Sequence, residues 1–161
     1  MNLPASELTP AGRALDRMNI PYRLFRHPGP VHSLEQAAAE RSQLPDQIVR
    51  SIVFRVAKTD FIMVLIAGAR QVAWPVLRKY LGQSRLTMAN EAEVLENTGA
   101  ERGGVSPLGL PRPMRTLIDE SVFAHAEISL GSGVRGMTVI LSSADLRRVL
   151  PDAEIGSFAE A

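Results

Sequence analysis

Two apolar runs in the first half of the chain predict the centre of a β-sheet. The segments "RSIVFRVA" (50–57) and "FIMVLIAG" (61–68) are rich in β-branched residues and are separated by Lys58-Thr59-Asp60. Such runs joined by a short polar segment are typical of a β-hairpin. Because the second run is apolar at every position, we expect it to form a central strand that is covered on both faces.

The first helix is predicted from its capping residues. Thr9 followed by Pro10 is typical of a helix start, since threonine caps the free amide groups and proline fits the first turn. Leu15 and Met18 are then expected to share the inward face, and Asn19 to end the helix.

Capping and stop signals predict the remaining elements in the same way. Ser33 with Gln36 three residues later forms a capping box, Asn90 is a second cap, and Gly82 and Gly99 are helix stops. The predicted helices are 33–42, 75–82, 90–99 and 143–150, with a helical turn at 45–47. The further predicted strands are 22–26, 84–89, 114–119, 126–131 and 136–141.

Strands and helices alternate along the chain, but hairpins dominate the connections between strands. This arrangement predicts an α+β fold, a single domain over residues 1–161 with a curved, barrel-like mixed sheet flanked by helices.

Composition narrows the class of protein. The chain has 161 residues, a net charge of +1 and no cysteine, which excludes disulfides and thiol chemistry. The start "MNLPASELTP" lacks the pattern of a signal peptide, and the longest apolar stretch, 61–69, is too short to span a bilayer. We therefore expect a cytoplasmic protein with no membrane partner.

The usual catalytic motifs are missing from the sequence. His27, His32 and His125 lack metal-ligand spacing, and there is no Gly-x-Ser-x-Gly elbow or Walker A motif. Ser106 lies in a glycine-rich segment without a histidine at a recognisable spacing. We expect no metal and no cofactor.

A long segment, "TGAERGGVSPLGLPRP" (98–113), holds four glycines and three prolines. Loops of this length are uncommon in compact domains and are usually functional or disordered. Gly103 and Gly104 allow a ligand to approach the backbone, and Pro107 stiffens the following part. The segment is either a surface loop that presents amide groups to a substrate or an ordinary connection.

Three segments of the second half carry a family resemblance: "GGVSPLGL", "RTLIDESV" and "EISLGSG" followed by "RGM". They resemble the YbaK family of aminoacyl-tRNA deacylases, which includes the editing domain of bacterial prolyl-tRNA synthetases. The similarity continues upstream through "YRLFRHPGPVHSLEQAA" and "IVRSIVF" and covers roughly residues 15–150. Its most specific sign is the Gly-x-x-x-Pro element from Gly103 to Pro107.

The resemblance implies a trans-acting hydrolase that cleaves the ester between a wrong, small amino acid and the 3′ adenosine of a tRNA, notably tRNA for proline. It implies no metal, cofactor or covalent nucleophile: the loop holds the aminoacyl group, and a ribose hydroxyl of the substrate assists the attacking water. The expected partners are aminoacyl-tRNA and a synthetase, with no DNA.

The resemblance also assigns roles to residues, which we expect to converge on one pocket. The catalytic candidates are Arg50, Gly103 and Pro107. The substrate-binding candidates are Phe25, His27, Ser51, Gly104, Val105, Ser106, Ser129, Gly131 and Thr138. Basic residues expected to contact RNA phosphates are Arg26, Arg78, Lys79, Arg112 and Arg115.

Two positions depart from the family pattern. Arg50 stands where the family carries lysine, and arginine presents a wide planar fork where lysine presents a compact charge. Thr138 stands where many members have an acidic residue, which indicates a different substrate preference. Two alternatives therefore stay open: a catalytically weak relative that binds aminoacyl-tRNA or a synthetase, and a small-molecule binding module.

Overall fold

The computed structural model describes residues 9–161, so the part of the predicted domain that precedes Thr9 lies outside it. The helices are α1 (Pro10–Arg17), α2 (Leu34–Glu40), α3 (Trp74–Leu81), α4 (Glu91–Thr98) and α5 (Ser143–Val149), with 3₁₀ turns at Pro45–Gln47 and Glu120–Phe123. The strands are β1 (Arg23–Arg26), β2 (Val49–Arg55), β3 (Phe61–Ala67), β4 (Thr87–Met88), β5 (Arg115–Asp119), β6 (Glu127–Gly131), β7 (Met137–Ser142) and β8 (Glu154–Gly156).

The strands form two sheets in an α+β arrangement, as predicted. One sheet is antiparallel, in the order β1-β7-β6, and the other is mixed, in the order β4-β2-β3-β5-β8. A parallel bridge between Ile48 and Ser129 joins the start of β2 to β6. The sheets do not close into a barrel, because β4 and β8 remain as edge strands of the mixed sheet.

The predicted hairpin is confirmed and supplies the centre of the mixed sheet. β2 and β3 pair antiparallel over their whole length, from Val49 opposite Ala67 to Arg55 opposite Phe61. On its other side β3 pairs in parallel with β5. Residues 62–67 are all buried, as expected for a strand with elements packed on both faces.

The two faces of the mixed sheet bury separate apolar clusters. Leu65 and Ile118 face the antiparallel sheet and pack in one cluster with Leu130 and Val139. Phe54 and Val64 face the other way, toward α3 and the C-terminal segment; the buried residues of this cluster are Phe54, Ile62, Val64, Ile66, Val72, Leu77, Leu117 and Phe158. The mixed sheet is therefore the middle layer of the domain.

The predicted caps of the helices are present. The Thr9 hydroxyl accepts a hydrogen bond from the Gly12 amide at 2.9 Å, and the Ser33 hydroxyl accepts one from the Gln36 amide at 3.0 Å. Asn19 follows α1 with φ +57°, a left-handed conformation that ends the helix. The prediction that Met18 faces the core is wrong: it caps the C-terminus of α1 and its side chain is 48% exposed.

Strand β8 was not predicted, and one buried carboxylate fixes the chain that follows it. Asp119 is 2% exposed, and its Oδ1 accepts hydrogen bonds from the amides of Phe158 at 2.7 Å and Ala159 at 3.1 Å. Its Oδ2 accepts one from the Ser121 amide at 3.0 Å. Asp119 therefore anchors the C-terminal segment against β5. No helix among residues 9–161 is long and apolar enough to cross a bilayer.

We predict that Asp119→Asn lowers the free energy of unfolding by about 1–3 kcal/mol, because the new amide group must face a buried N–H donor. In a domain of this size the midpoint of thermal unfolding should fall by about 2–4 °C for each kcal/mol. The exposed Asp152→Asn is the matched control and should stay within about 0.5 kcal/mol of wild type. Equal midpoints for the two variants would contradict the anchoring role of Asp119.

Candidate functional site

A cavity of about 220 Å³ opens between the free edge of β2, the end of β4, helix α4 and the long loop. Its wall is apolar where it meets the core, and arginines stand at its rim. The lining residues are Arg50, Ser51, Ile52, Val53, Met88, Ala89, Val94, Arg102, Gly103 and Val105. The predicted site residues Arg50, Ser51, Gly103 and Val105 therefore meet in one cavity, although they are far apart in sequence.

The edge of β2 at Ser51 carries backbone groups that no strand of the described chain covers. β4 pairs with β2 only at Phe54 and Arg55, and the Ala89 amide donates to the Val53 carbonyl at 3.0 Å. Backbone groups along a strand alternate in direction. The N–H and C=O of Ser51 consequently point to the same side as those of Val53, into the cavity.

The Ser51 side chain adds a third polar group at this point. Its hydroxyl is buried and has no hydrogen-bond partner within residues 9–161. A buried polar group without a partner costs free energy, and such groups are found where a ligand or a water completes the bonding. Ser51 can thus offer a bound molecule its amide, its carbonyl and its hydroxyl.

Glycines let the loop lie directly against strand β6. A Cβ atom added to Gly131 would overlap the Val105 carbonyl oxygen and would lie 3.0 Å from that of Gly104. A Cβ atom on Gly104 would lie 2.9 Å from the Arg135 amide nitrogen. The Gly133 amide donates to the Gly104 carbonyl at 2.8 Å, which ties the two segments together. The cavity wall at Gly103 and Val105 is therefore set by contact between backbones.

The expectation that the loop lies at the surface is wrong for its middle part. Residues 104–108 are buried, because Val105 and Leu108 insert into the apolar cluster between the sheets. The Ser106 hydroxyl accepts a hydrogen bond from the Leu108 amide at 3.1 Å and so serves the loop itself. Pro107 lines a different groove, with Leu110 and Val149, instead of the cavity. The prediction of one shared pocket thus fails for Gly104, Ser106 and Pro107, none of which lines the cavity.

The guanidinium group of Arg50 is held by backbone carbonyls. Its Nε donates to the Gly68 carbonyl at 2.7 Å and its Nη2 donates to the Arg70 carbonyl. Partial burial lowers the pKa of Arg50 from its usual value, but an arginine there remains charged. Arg50 is among the residues that line the cavity, and its planar fork fastens the turn after β3.

Arg102 is a rim residue that the sequence reasoning missed. Its Nη2 donates to the Ala89 carbonyl at 2.9 Å, and its side chain is 54% exposed. The signal available in the sequence was its position directly before Gly103. Met88, also at the rim, was not identified as a site residue, although a strand was predicted around it over 84–89 and is observed at Thr87–Met88.

Four further predicted residues lie together on the antiparallel sheet. Gly131 is paired with Thr138 and Thr138 with Phe25, so these three are cross-strand neighbours. Ser129 is two residues before Gly131 and pairs with Ile140. Of these, Gly131 touches the loop backbone that forms the cavity wall, and none of the four lines the cavity directly.

His27 belongs to a buried polar network that fastens α2 to the sheets. The Arg41 Nε donates to His27 Nε2 at 3.0 Å, and His27 Nδ1 lies 2.8 Å from a Glu40 carboxylate oxygen. Since a guanidinium can only donate, His27 Nε2 accepts this bond. The hydrogen bond between His27 and Glu40 lowers the pKa of Glu40, while burial lowers the pKa of Arg41 to about 10.

The same network accounts for Ser129. The Arg41 Nη1 donates to the Ser129 hydroxyl at 2.9 Å, and this hydroxyl donates to Gln43 Oε1 at 2.7 Å. Because both of its partners belong to the α2 end of the molecule, Ser129 positions the segment that leads into β2. A role for His27 or Ser129 in binding substrate remains a prediction.

The basic residues predicted to contact RNA are dispersed. Arg115 forms a two-point ion pair with Glu154, at 2.7 and 2.8 Å, which lowers the pKa of Glu154 to about 2. Arg112 donates to the Glu96 carbonyl at 3.3 Å. Arg26 and Lys79 are exposed and Arg78 is half-buried on α3.

The cavity lining holds cationic and backbone donors but no histidine, aspartate or glutamate. Ser51 therefore has no general base beside it within the lining, as an activated serine nucleophile would require. Residues 9–161 also contain no group of three histidine or carboxylate side chains placed to hold a metal ion. What the site offers a substrate is positive charge, hydrogen-bond donors and a fixed shape.

Fold and cavity together define an α+β domain with a cavity lined by apolar, hydroxyl and cationic side chains. The sequence model of a known family, described as an aminoacyl-tRNA editing domain, matches residues 28–149. The chain belongs to this aminoacyl-tRNA editing family, which confirms the resemblance seen in the sequence.

Relatives and solved structures agree with this membership. The chain is 34% identical over 99 residues to the proline–tRNA ligase of Kosmotoga olearia and 27% identical over 119 residues to that of Aquifex aeolicus. These matches cover 62% and 74% of the chain but only 17% and 19% of the ligases, so the chain corresponds to a small part of their length.

The fold also matches a crystal structure described as a candidate trans-editing enzyme for prolyl tRNA synthetase. The TM-score is 0.86 at 23% sequence identity, and the match covers 99% of this chain and 100% of the other. At this identity the similarity establishes the shared fold.

We predict that Gly131→Ala lowers the free energy of unfolding by about 1–3 kcal/mol, because its methyl group overlaps the loop backbone and cannot be accommodated without a shift. Gly29→Ala is the matched control, since nothing lies within 4 Å of its added Cβ. Thermal unfolding of the two variants is the measurement. A wild-type midpoint for Gly131→Ala would show that the loop does not rest on β6.

Proposed function

We propose that this protein is a trans-editing hydrolase that cleaves the ester bond of a mischarged aminoacyl-tRNA carrying a small amino acid. The observation that carries the proposal is the cavity itself, where the loop at Gly103, the free edge of β2 and two arginines enclose about 220 Å³ without a general base in the lining. A tRNA substrate would place this activity in the cytoplasm.

The size and lining of the cavity favour a small apolar aminoacyl group. Its inner wall is formed by Val53, Val94 and Val105, all buried members of the cluster between the sheets. Core side chains at native packing density leave little room to yield, so a larger side chain would have to displace them. The size of the cavity therefore supports hydrolysis of tRNA esters of small amino acids and excludes those of bulky ones.

The chemistry follows from what the lining contains. Water adds to the ester carbonyl carbon, and the negative charge that develops on the carbonyl oxygen is stabilised by donors placed in advance. The amide and hydroxyl of Ser51 and the charge of Arg50 are the available groups. The bond to the ribose oxygen then breaks, so that the amino acid leaves with a carboxyl group and the ribose hydroxyl is restored.

Proton transfer is assigned to the substrate. A group that accepts the proton of the attacking water must lie within hydrogen-bond distance of it, and the lining supplies no such side chain. The neighbouring hydroxyl of the terminal ribose is carried into the site by the tRNA itself. The protein then contributes position and electrostatics, which can account for many orders of magnitude in rate.

The RNA partner is inferred from the relatives. The similar chains are segments of proline–tRNA ligases, and the solved structure with the same fold is described as a candidate trans-editing enzyme for prolyl tRNA synthetase. We therefore propose mischarged tRNA for proline as the substrate, with the synthetase as a candidate partner.

We predict that the charge of Arg50 is needed for hydrolysis. Across a panel of mischarged tRNAs, Arg50→Met should lower the deacylation rate about 10²-fold, since it removes a stabilising cation at similar length. Arg50→Lys should retain most of the rate and lose about 1 kcal/mol of stability, because an ammonium group cannot bind both carbonyls as the fork does.

Arg148→Met and Arg148→Lys are the controls, because they make the same changes on the exposed face of α5. A wild-type rate for Arg50→Met would leave Arg50 with a structural role only. If the wild-type protein hydrolyses no member of the panel, the proposed function itself is wrong.

We predict that Gly103→Ala lowers kcat/KM for deacylation about 10-fold or more while the domain stays folded. Gly103 has φ +96°, a conformation that alanine avoids, and its relaxation would move the cavity wall. Gly136 is the matched control, since it also has positive φ and open space around its Cβ position but lies outside the cavity. Similar losses of rate in both variants would argue against a special role for Gly103.

A further inference from the structure

A second groove with a basic lining lies beside the cavity, at the tip of the β2–β3 hairpin. It has a volume of about 500 Å³, and its polar and charged lining comes from Arg55, Lys58, Gln83, Ser84, Arg85 and Thr87. We call it the hairpin groove. No acidic side chain lines it.

Two of the three cations in the hairpin groove are free to bind an anion. Arg55 is paired with Glu93 at 3.3 Å. Lys58 and Arg85 are exposed, and within residues 9–161 neither lies within ion-pair distance of a carboxylate. The groove therefore offers two unneutralised charges together with hydroxyl and amide groups, a set that suits phosphate oxygens.

The hairpin groove and the cavity follow one another along the same strand edge. The cavity is lined by residues 50–53 of β2, and the groove by residues 55–58 of the same chain segment. β4 lies between them, since Met88 lines the cavity and Thr87 lines the groove. From Ser51 to Arg55 the strand advances by about 13 Å.

The passage between the two sites is suited to a nucleic acid strand. Met88 is 48% exposed and offers an apolar surface on which a base can lie, and Arg102 stands at the cavity rim beside it. Proteins that hold single-stranded nucleic acid combine a positively charged track for the backbone with apolar surfaces for the bases. The separation corresponds to roughly two nucleotides of an extended strand.

We propose that the hairpin groove binds phosphates of the single-stranded 3′ end of the substrate RNA, about two nucleotides before the esterified nucleoside in the cavity. Lys58 and Arg85 make these contacts. The inference rests on the proposed function, because that function places the 3′ end of an RNA in the cavity and so fixes the direction of the strand. RNA is favoured over an acidic protein surface because the groove follows the cavity along the same strand.

The test is the salt dependence of RNA binding by the double variant Lys58→Ser/Arg85→Ser. The probe is an uncharged acceptor-stem RNA with its single-stranded 3′ end, and the full chain is titrated at several salt concentrations. Loss of two phosphate contacts on a single strand should reduce the slope of log K against log salt by about 1.4. Arg147→Ser/Arg148→Ser removes the same charge from α5 and should leave the slope unchanged.

Kinetics give a second readout with mischarged tRNA. The double variant should raise KM several-fold and leave kcat within about twofold of wild type, because the groove holds the strand without touching the ester. An RNA that lacks the single-stranded end should bind wild type and variant equally. A loss of affinity for that duplex as large as for the full probe would overturn the proposal.

The two proposals fail in different ways. If the wild-type chain hydrolyses mischarged tRNA but the double variant has the wild-type slope and KM, the hairpin groove is not the phosphate site. An acidic protein surface would then be its remaining occupant. If the slope changes as expected but no ester is hydrolysed, the groove assignment stands and the proposed function falls.

Discussion

The contact between the long loop and β6 is the constraint on which the candidate site depends. The backbone of Gly104 and Val105 rests on Gly131, at a distance that no side chain on Gly131 would allow. From this contact Val105 extends into the core on one side, and Gly103 forms the cavity wall on the other. Because backbones in contact cannot rotate as side chains do, the wall is stiff without a disulfide or a metal.

A second constraint explains the arginine at position 50. The single ammonium group of a lysine would donate to one carbonyl at this position, whereas the guanidinium of Arg50 donates to the carbonyls of both Gly68 and Arg70. Gly68 has positive φ, and a Cβ atom there would overlap the Asp46 carboxylate, so the turn is already tightly packed. Arg50 thus keeps the positive charge of the family's lysine and also fastens the turn after β3. This second role explains why arginine can replace lysine at this position.

Much of the fold could be predicted from local patterns, since its signals are local. The caps at Thr9, Ser33 and Asn90 and the β2–β3 hairpin each depend on residues a few positions apart. Strand β8 escaped prediction because three residues carry no period, and their pairing with β5 joins positions far apart in sequence.

Part of the candidate site could likewise be predicted from the sequence, and part of it could not. The resemblance identified Arg50, Ser51, Gly103 and Val105, but it could not show that Pro107 faces another groove. The burial of residues 104–108 was missed because Val105 and Leu108 lie among glycines and prolines, where no strand or helix period extends over the neighbouring residues. Arg102 was missed because its one signal, the position directly before Gly103, does not show which way the side chain points until the loop is folded.

The cavity links specificity to stability in a direct way. Its inner wall consists of Val53, Val94 and Val105, which also belong to the cluster between the two sheets. Enlarging the cavity to admit another amino acid would require truncating one of these residues, and a truncation in a close-packed core costs free energy by leaving a void. A substrate preference built on core residues is therefore costly to change. The rim at Arg102, whose side chain is 54% exposed, is the part of the site where recognition can vary at low cost to the fold.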